Sequence, residues 1–278
     1  MKVLSVDYLS NSAPTELVKS IRETGFAIIR NHPIDKILVD SVYNEWNSFF
    51  SSSYKEKYIF REIEQDGYFP FMSENAKDRE IKDLKEFFHI YPWGVYPKEI
   101  SDNTRIFYDK LLELGKVLLN WIDINSPSNI RDNFSMPLDD MVKESNQNLL
   151  RIIHYPPIGE NAPVGAVRAA AHEDINLITI LCTGSQPGLQ AKDLRGDWHD
   201  IECDSDCIVI NSGDMLNVCS NGYYPSTTHQ VINPNNQEIN ISRMSSPLFL
   251  HPNEGTKLSE EYTAGSYLLE RLKELGLK

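Results

Sequence analysis

Three short clusters in the second half of this 278-residue chain have the residue types to hold a metal and a small acid. His172-Glu173-Asp174 sets an imidazole and a carboxylate two positions apart. On a strand, positions i and i+2 project to one side, so His172 and Asp174 can reach one ion while Glu173 faces away. A second imidazole, His229, lies in the later strand-like stretch Thr227–Ile232. Two imidazoles and one carboxylate on a rigid sheet make the facial triad of non-haem Fe(II), with positions left open for a co-substrate and O2. Zinc is the rival by ligand type, although the chain has no helical His-Glu-x-x-His pattern. The third cluster is Arg243-Met244-Ser245, whose guanidinium and hydroxyl share a strand face and can meet one carboxylate. An Arg buried inside a barrel without such a partner would be costly.

The elements that must position these groups change character midway. The first half reads helical. Ser12-Ala13-Pro14 opens a helix that Gly25 closes, and Phe26–Ile29 follows as a short buried strand. Leu38, Val42, Trp46, Phe49 and Phe50 repeat at helical spacing over about 34–50, and a long helix is predicted over about 102–123. The charged, aromatic segment 51–85 reads as a loop over a pocket, with Tyr68 and Phe69 as candidate lining residues. From Asn148 onward short strands alternate with Pro, Gly, Asn and Asp clusters: Leu149–His154, Asn176–Cys182, Gly188–Ala191, Cys207–Ile210, Thr227–Ile232 and Glu238–Phe249. Asn211-x-Gly213-Asp214 reads as a tight turn, and the residues around His199 as a hairpin turn. A last amphipathic helix is predicted over Thr263–Leu275, capped by Gly276. The expected fold is mainly β with flanking helices: a jelly-roll (double-stranded β-helix, cupin-like) core buttressed by N-terminal helices. It is expected as a single domain, 1–278, with a helical N-terminal region over 1–147, a core over 148–250 and a C-terminal helix over 251–278.

Positions 168, 170, 172 and 174 share parity, so Arg168 is a candidate to project into the cavity of the triad and anchor an anionic group of a substrate. The other histidines, His32, His89, His154, His199 and His251, are read as structural.

Composition excludes other classes. With 27 Lys+Arg against 40 Asp+Glu the chain carries a formal charge of -13, which argues against nucleic acid and against an anionic membrane surface. No apolar run approaches the ~18–20 residues of a spanning helix, and Met1–Asp7 is too short and polar for a secretory signal. Four cysteines without a Cys-x-x-Cys pair suit a cytoplasmic protein with reduced thiols. Oligomeric state is not legible.

His172-x-Asp174, His229 and Arg243-x-Ser245, in this order, resemble the Fe(II)/2-oxoglutarate-dependent oxygenases, specifically the isopenicillin N synthase-like family. Gly25-Phe26-Ala27-Ile28-Ile29-Arg30-Asn31-His32 resembles that family's GFF-x-(V/I)-x-NHG strand, and Leu84-Lys85-Glu86-Phe87-Phe88 its (D/L)KE-x-F segment. Leu150-Arg151-Ile152-Ile153-His154-Tyr155-Pro156-Pro157 resembles LR-x-N-x-YPP. Asn211 to Leu216, Ser220 to Tyr223 and Ser226 to Val231 follow its N-x-GD-x-L, SNG-x-(Y/F) and S-x-x-H-x-V words.

The resemblance implies His172, Asp174 and His229 as iron ligands, and Arg243, Ser245 and Tyr155 on the distal carboxylate of 2-oxoglutarate. It implies a dioxygenase that hydroxylates or otherwise oxidises a small molecule with release of succinate and CO2, using Fe(II), 2-oxoglutarate and O2, with ascorbate a further candidate. Asp174 stands where related halogenases have Gly or Ala, which favours hydroxylation over halogenation. Ile153 stands where many plant members have an Asn that helps hold the chelating end of 2-oxoglutarate. The alternative is an Fe(II) oxidase like isopenicillin N synthase or the amino-cyclopropane oxidases, which keep Arg-x-Ser without using 2-oxoglutarate. A metal- or acid-binding sensor and a zinc hydrolase stand further back.

Overall fold

Gly25, at φ 72°, ends the first helix in a left-handed turn and sends the chain straight into a strand. That helix, α1 (Ala13–Thr24), follows strand β1 (Ser5–Asp7) and precedes β2 (Phe26–Arg30). Helix α2 (Lys36–Phe50) starts where the Asp35 side chain accepts the Ile37 N–H. The computed structural model describes residues 1–75, 80–159, 162–182, 186–204, 206–234 and 241–274. Among them the chain continues with a 3-10 turn (Ser53–Tyr58), β3 (Gly67–Phe69), β4 (Glu86–Ile90), α3 (Asn103–Asn125) and the short α4 (Ser128–Arg131) and α5 (Leu138–Met141). Then come β5 (Leu149–Tyr155), β6 (Ala169–His172), β7 (Ile178–Cys182), β8 (Leu189–Lys192), β9 (Trp198–Asp200), β10 (Ile208–Ser212), α6 (Asp214–Cys219), β11 (His229–Val231), β12 (Arg243–Leu250) and α7 (Ala264–Glu274).

The strands form an eight-stranded sheet, β1-β2-β10-β7-β12-β5-β4-β3, and a four-stranded sheet, β6-β11-β8-β9. The fold is the expected jelly roll with helices against the large sheet. Alternation along each central strand divides the apolar residues between two cores. Even-numbered positions of β5, such as Leu150 and Ile152, join Trp46, Phe88 and Leu111 under the helices. Odd-numbered positions, Ile153 and Tyr155, face the small sheet together with Phe26, Phe69, Phe87, Leu181 and Val209.

Strand register sets this inner face out in rows. Phe26, Asn211, Thr179, Phe249 and Leu149 make one row. Ile28, Val209, Leu181, Pro247, Arg151 and His89 make the next. Ser245, Ile153, Phe87 and Phe69 follow, then Arg243 and Tyr155.

Several elements differ from expectation. Beside β2, which falls on the expected Phe26–Ile29 strand, and β4, the N-terminal half contributes the unexpected β1 and β3 to the large sheet. β1 and β3 have three residues each, too few to show a period of two. The 51–85 segment, expected as a loop, therefore holds the edge strand β3. A helix, α6, replaces the expected turn after Asn211, and His199 lies within β9. The last strand begins at Arg243; residues 238–240 of the expected strand, and Leu275 and Gly276 at the expected end of the last helix, lie outside the described residues. Cys182, Cys207 and Cys219 are buried, and Cys203 is partly exposed. Among the described residues no helix is long and apolar enough to cross a membrane.

Candidate metal centre

β6 and β11 pair antiparallel with His172 directly opposite His229, so the two imidazoles leave the small sheet side by side, ring centroids 4.4 Å apart. His172 Nδ1 contacts the Ala170 carbonyl at 2.7 Å and His229 Nδ1 the Thr227 carbonyl at 3.1 Å. These contacts fix Nδ1 as the protonated nitrogen and leave both Nε2 lone pairs free for a metal. Asp174 lies just past the end of β6. Its Oδ1 stands 3.9 Å from His172 Nε2 and 3.8 Å from His229 Nε2. Its other oxygen, Oδ2, accepts from Thr179 Oγ1 at 2.5 Å and from Asn211 Nδ2 at 2.8 Å. One carboxylate oxygen is thus tied to the large sheet and the other is presented between the imidazoles.

Among the described residues, this is the group of His, Cys, Asp or Glu side chains placed to hold a metal. Burial and the neighbouring His229 push His172 down to about 4, so its ring is neutral near pH 7 and able to ligate. For Asp174 burial works the other way, raising the pKa. The adjacent imidazoles and the Thr179 and Asn211 hydrogen bonds outweigh it and hold the carboxyl below its usual range.

Thr179 and Asn211, from β7 and β10, hold the Asp174 carboxylate; Thr179 lies outside every motif word, and Asn211 stands in the N-x-GD-x-L word without that contact being legible from it. Gly213 is a third support. A Cβ there would lie 2.3 Å from the Asn176 carbonyl oxygen and 2.8 Å from that of Asp174. Its absence lets α6 approach closely enough for the Asp214 N–H to reach the Asp174 carbonyl at 2.7 Å. Asn211→Ala is expected to weaken Fe(II) affinity about 10–100-fold, as loss of an outer partner does at other metal sites. Titration of the apo-protein checks this, and unchanged affinity would contradict the support role.

Arg243, Tyr155 and Ser245, expected as a carboxylate site, lie on one face of the large sheet. Arg243 and Tyr155 face each other across β12 and β5, with the guanidinium 5.1 Å from the ring centroid. Arg243 is 3% exposed; its Nε donates to the Gln186 carbonyl, and Nη1 is buried with no partner among the described residues. A buried guanidinium nitrogen without an acceptor is costly, so its chemistry fits an anionic ligand. Ser245, one row along, is buried on the same face. Arg168, immediately before β6, is also buried, with its guanidinium 5.9 Å from the Tyr155 ring and Nη2 donating to the Ile241 carbonyl.

The two candidate lining aromatics part company. Phe69 joins the inner core, stacked between Phe60 and Phe87. Tyr68 points to the helix side, with its hydroxyl on Glu86. Adjacent strand residues cannot share a face. Of the remaining histidines, His154 pairs with Glu86 under Phe50, and His199 sits against Asp193.

Comparison with known proteins agrees with this geometry. The model of the 2OG-Fe(II) oxygenase superfamily matches residues 146–252, and that of the non-haem dioxygenase N-terminal region in morphine synthesis matches residues 9–108. A crystal structure from Shewanella oneidensis, assigned as an oxygenase, is 48% identical over 100% of both chains with a TM-score of 0.91. The 2-oxoglutarate-dependent dioxygenase citB of Monascus ruber is 25% identical, covering 81% of this chain and 77% of its own. A full-length Neurospora crassa protein crystallised in complex with alpha-KG shares the fold at a TM-score of 0.80 and 24% identity, over 97% of this chain and 95% of its own. These relatives do not favour an oxidase that dispenses with 2-oxoglutarate. The chain belongs to the 2OG-Fe(II) oxygenase superfamily and is an Fe(II)- and 2-oxoglutarate-dependent dioxygenase.

Proposed function

We propose that His172, Asp174 and His229 hold the iron, that Arg243, Ser245 and Tyr155 hold the distal carboxylate of 2-oxoglutarate, and that the enzyme oxidises a small molecule. The observation that carries this reading is the division of labour within Asp174. Oδ2 is committed to Thr179 and Asn211, while Oδ1 faces two Nε2 atoms whose rings are already oriented. Such a set binds one ion on one face and leaves the opposite face for ligands.

When bound, Fe(II) with 2-oxoglutarate and O2 supplies the oxidising power, yielding succinate and CO2 while the second oxygen atom goes to the substrate. The chain supplies orientation and dryness. Arg243 offers two parallel donors to a carboxylate, and the apolar residues Ile28, Leu181, Val209 and Ile153 keep water from the interior. Ile153 has no donor, so the chelating end of 2-oxoglutarate relies on the metal. Arg168, beside the same Tyr155 ring, adds positive charge near the substrate, and Phe69 supports the pocket wall. We also place the enzyme in the cytoplasm, which its small number of cysteines, with no Cys-x-x-Cys pair, supports.

Stoichiometric succinate release tests the reading. The iron-loaded protein should form one succinate per O2 consumed, and the reaction should stop on chelation and fail with zinc. Product formed without 2-oxoglutarate would overturn it.

A further inference from the structure

A second charged cluster lies on the same interior face, and the iron and carboxylate sites make no use of it. Lys85 Nζ lies 2.7 Å from Glu74 Oε2 and 3.0 Å from Asp83 Oδ2. Arg151 spreads Nη1 and Nη2 across Glu74 at 3.2 and 3.4 Å, while its Nε donates to His89 Nε2 at 2.8 Å. His89 Nδ1 in turn meets the Gln65 carbonyl at 2.7 Å. Burial and the Arg151 charge push His89 down to about 3, so the ring is a neutral, fixed acceptor. Among the described residues, two cations and two carboxylates therefore balance.

The cluster stands close to the chemistry. Arg151 occupies the row between Thr179, which holds Asp174, and Ser245. Asp83 Oδ1 accepts the Ala170 N–H at 3.1 Å, two residues before His172. Strands stand about 4.8 Å apart, so Arg151 lies roughly 10 Å across the sheet from Leu181 in its own row.

Two features set it apart from a purely structural network. The Arg151 fork is loosely engaged, since charge-assisted contacts ordinarily run about 2.7–2.9 Å. Its Nε and its stacking on Phe87, 4.4 Å from the ring centroid, hold the group in place all the same. Glu74 and Arg151 are also its more open members, with side chains 23% and 18% exposed against 8% for Lys85 and 5% for Asp83. The accessible edge thus offers one anion beside one cation.

We propose that Arg151 and Glu74 form the subsite of the prime substrate, and that this substrate is a small amphoteric molecule whose carboxylate takes the Arg151 fork and whose ammonium takes Glu74. Because the cluster is already balanced, a lone anion or cation would leave a net buried charge, whereas an amphoteric guest adds none. The inference rests on the iron and 2-oxoglutarate reading of the neighbouring site.

The test is succinate release above the substrate-free rate, screened with amino acids, their N-acetyl acids, their amides and neutral analogues. Amphoteric compounds should stimulate, and acylating the amine or amidating the acid should lower kcat/KM roughly tenfold or more. Glu74→Gln should shift preference toward the N-acetyl acid, and Arg151→Gln toward the amide; a variant merely damaged in folding would lose both alike. Stimulation by monoanions, cations or neutral compounds alone, or by no amphoteric compound, would overturn the proposal. The anaerobic charge-transfer band of the wild-type enzyme with Fe(II) and 2-oxoglutarate separates the two claims: without it, the site reading itself fails.

Discussion

Replacing Arg243 by alanine is expected to raise the KM for 2-oxoglutarate roughly 100-fold or more, with kcat at saturating co-substrate changed far less. Removing one partner of a buried charge pair costs about 2–5 kcal/mol, and each 1.4 kcal/mol or so is tenfold. Arg243 is 3% exposed and has a buried nitrogen awaiting an acceptor, so water replaces it poorly. Lysine should recover only a fraction of the affinity, because it supplies a charge without the planar fork. Initial rates at varied 2-oxoglutarate, together with Fe(II) affinity as a control that should stay unchanged, check this. An unaltered KM would remove Arg243 from the co-substrate site.

The second large effect is expected at Asp174. Asp174→Ala should lower Fe(II) affinity and turnover on the order of 10³-fold, since outer partners alone are worth about 10–100-fold and a direct ligand more. It also strands the donors of Thr179 and Asn211, each costing about 1–3 kcal/mol if left unpaired. Circular dichroism and thermal unfolding must therefore accompany the measurement. A folded Asp174→Ala protein working at the wild-type rate would refute the ligand set.

Much of this site was legible because its candidate ligands sit in short local words. His172-x-Asp174 and Arg243-x-Ser245 need only the two-residue strand period to be read as pairs, and the structure assembles both. The route for Asp174 differs from the simple one: β6 ends at His172, and the carboxylate is held in place by β7 and β10. Thr179 carries no local signal, because it meets Asp174 only through the packing of distant segments; Asn211 opens the N-x-GD-x-L word, but that word does not show its contact with Asp174. Glu74 carries no local signal either, and Arg151 stands in the LR-x-N-x-YPP word with nothing in it to pair the two. Tyr68 and Phe69 could be separated only once their three-residue strand was known. The helices α1, α2 and α3 were readable because each spans several turns of repeating apolar positions; β1 and β3 span too little chain to show any period.

Anaerobic titration of the apo-protein with Fe(II) and then 2-oxoglutarate tests the site most directly. A weak visible charge-transfer band of a 2-oxo acid chelated to ferrous iron should develop at one equivalent of 2-oxoglutarate per iron. It should be absent in Asp174→Ala and should require far more 2-oxoglutarate in Arg243→Ala. Wild-type protein that binds Fe(II) yet develops no band would contradict the assignment of these residues to iron and its co-substrate.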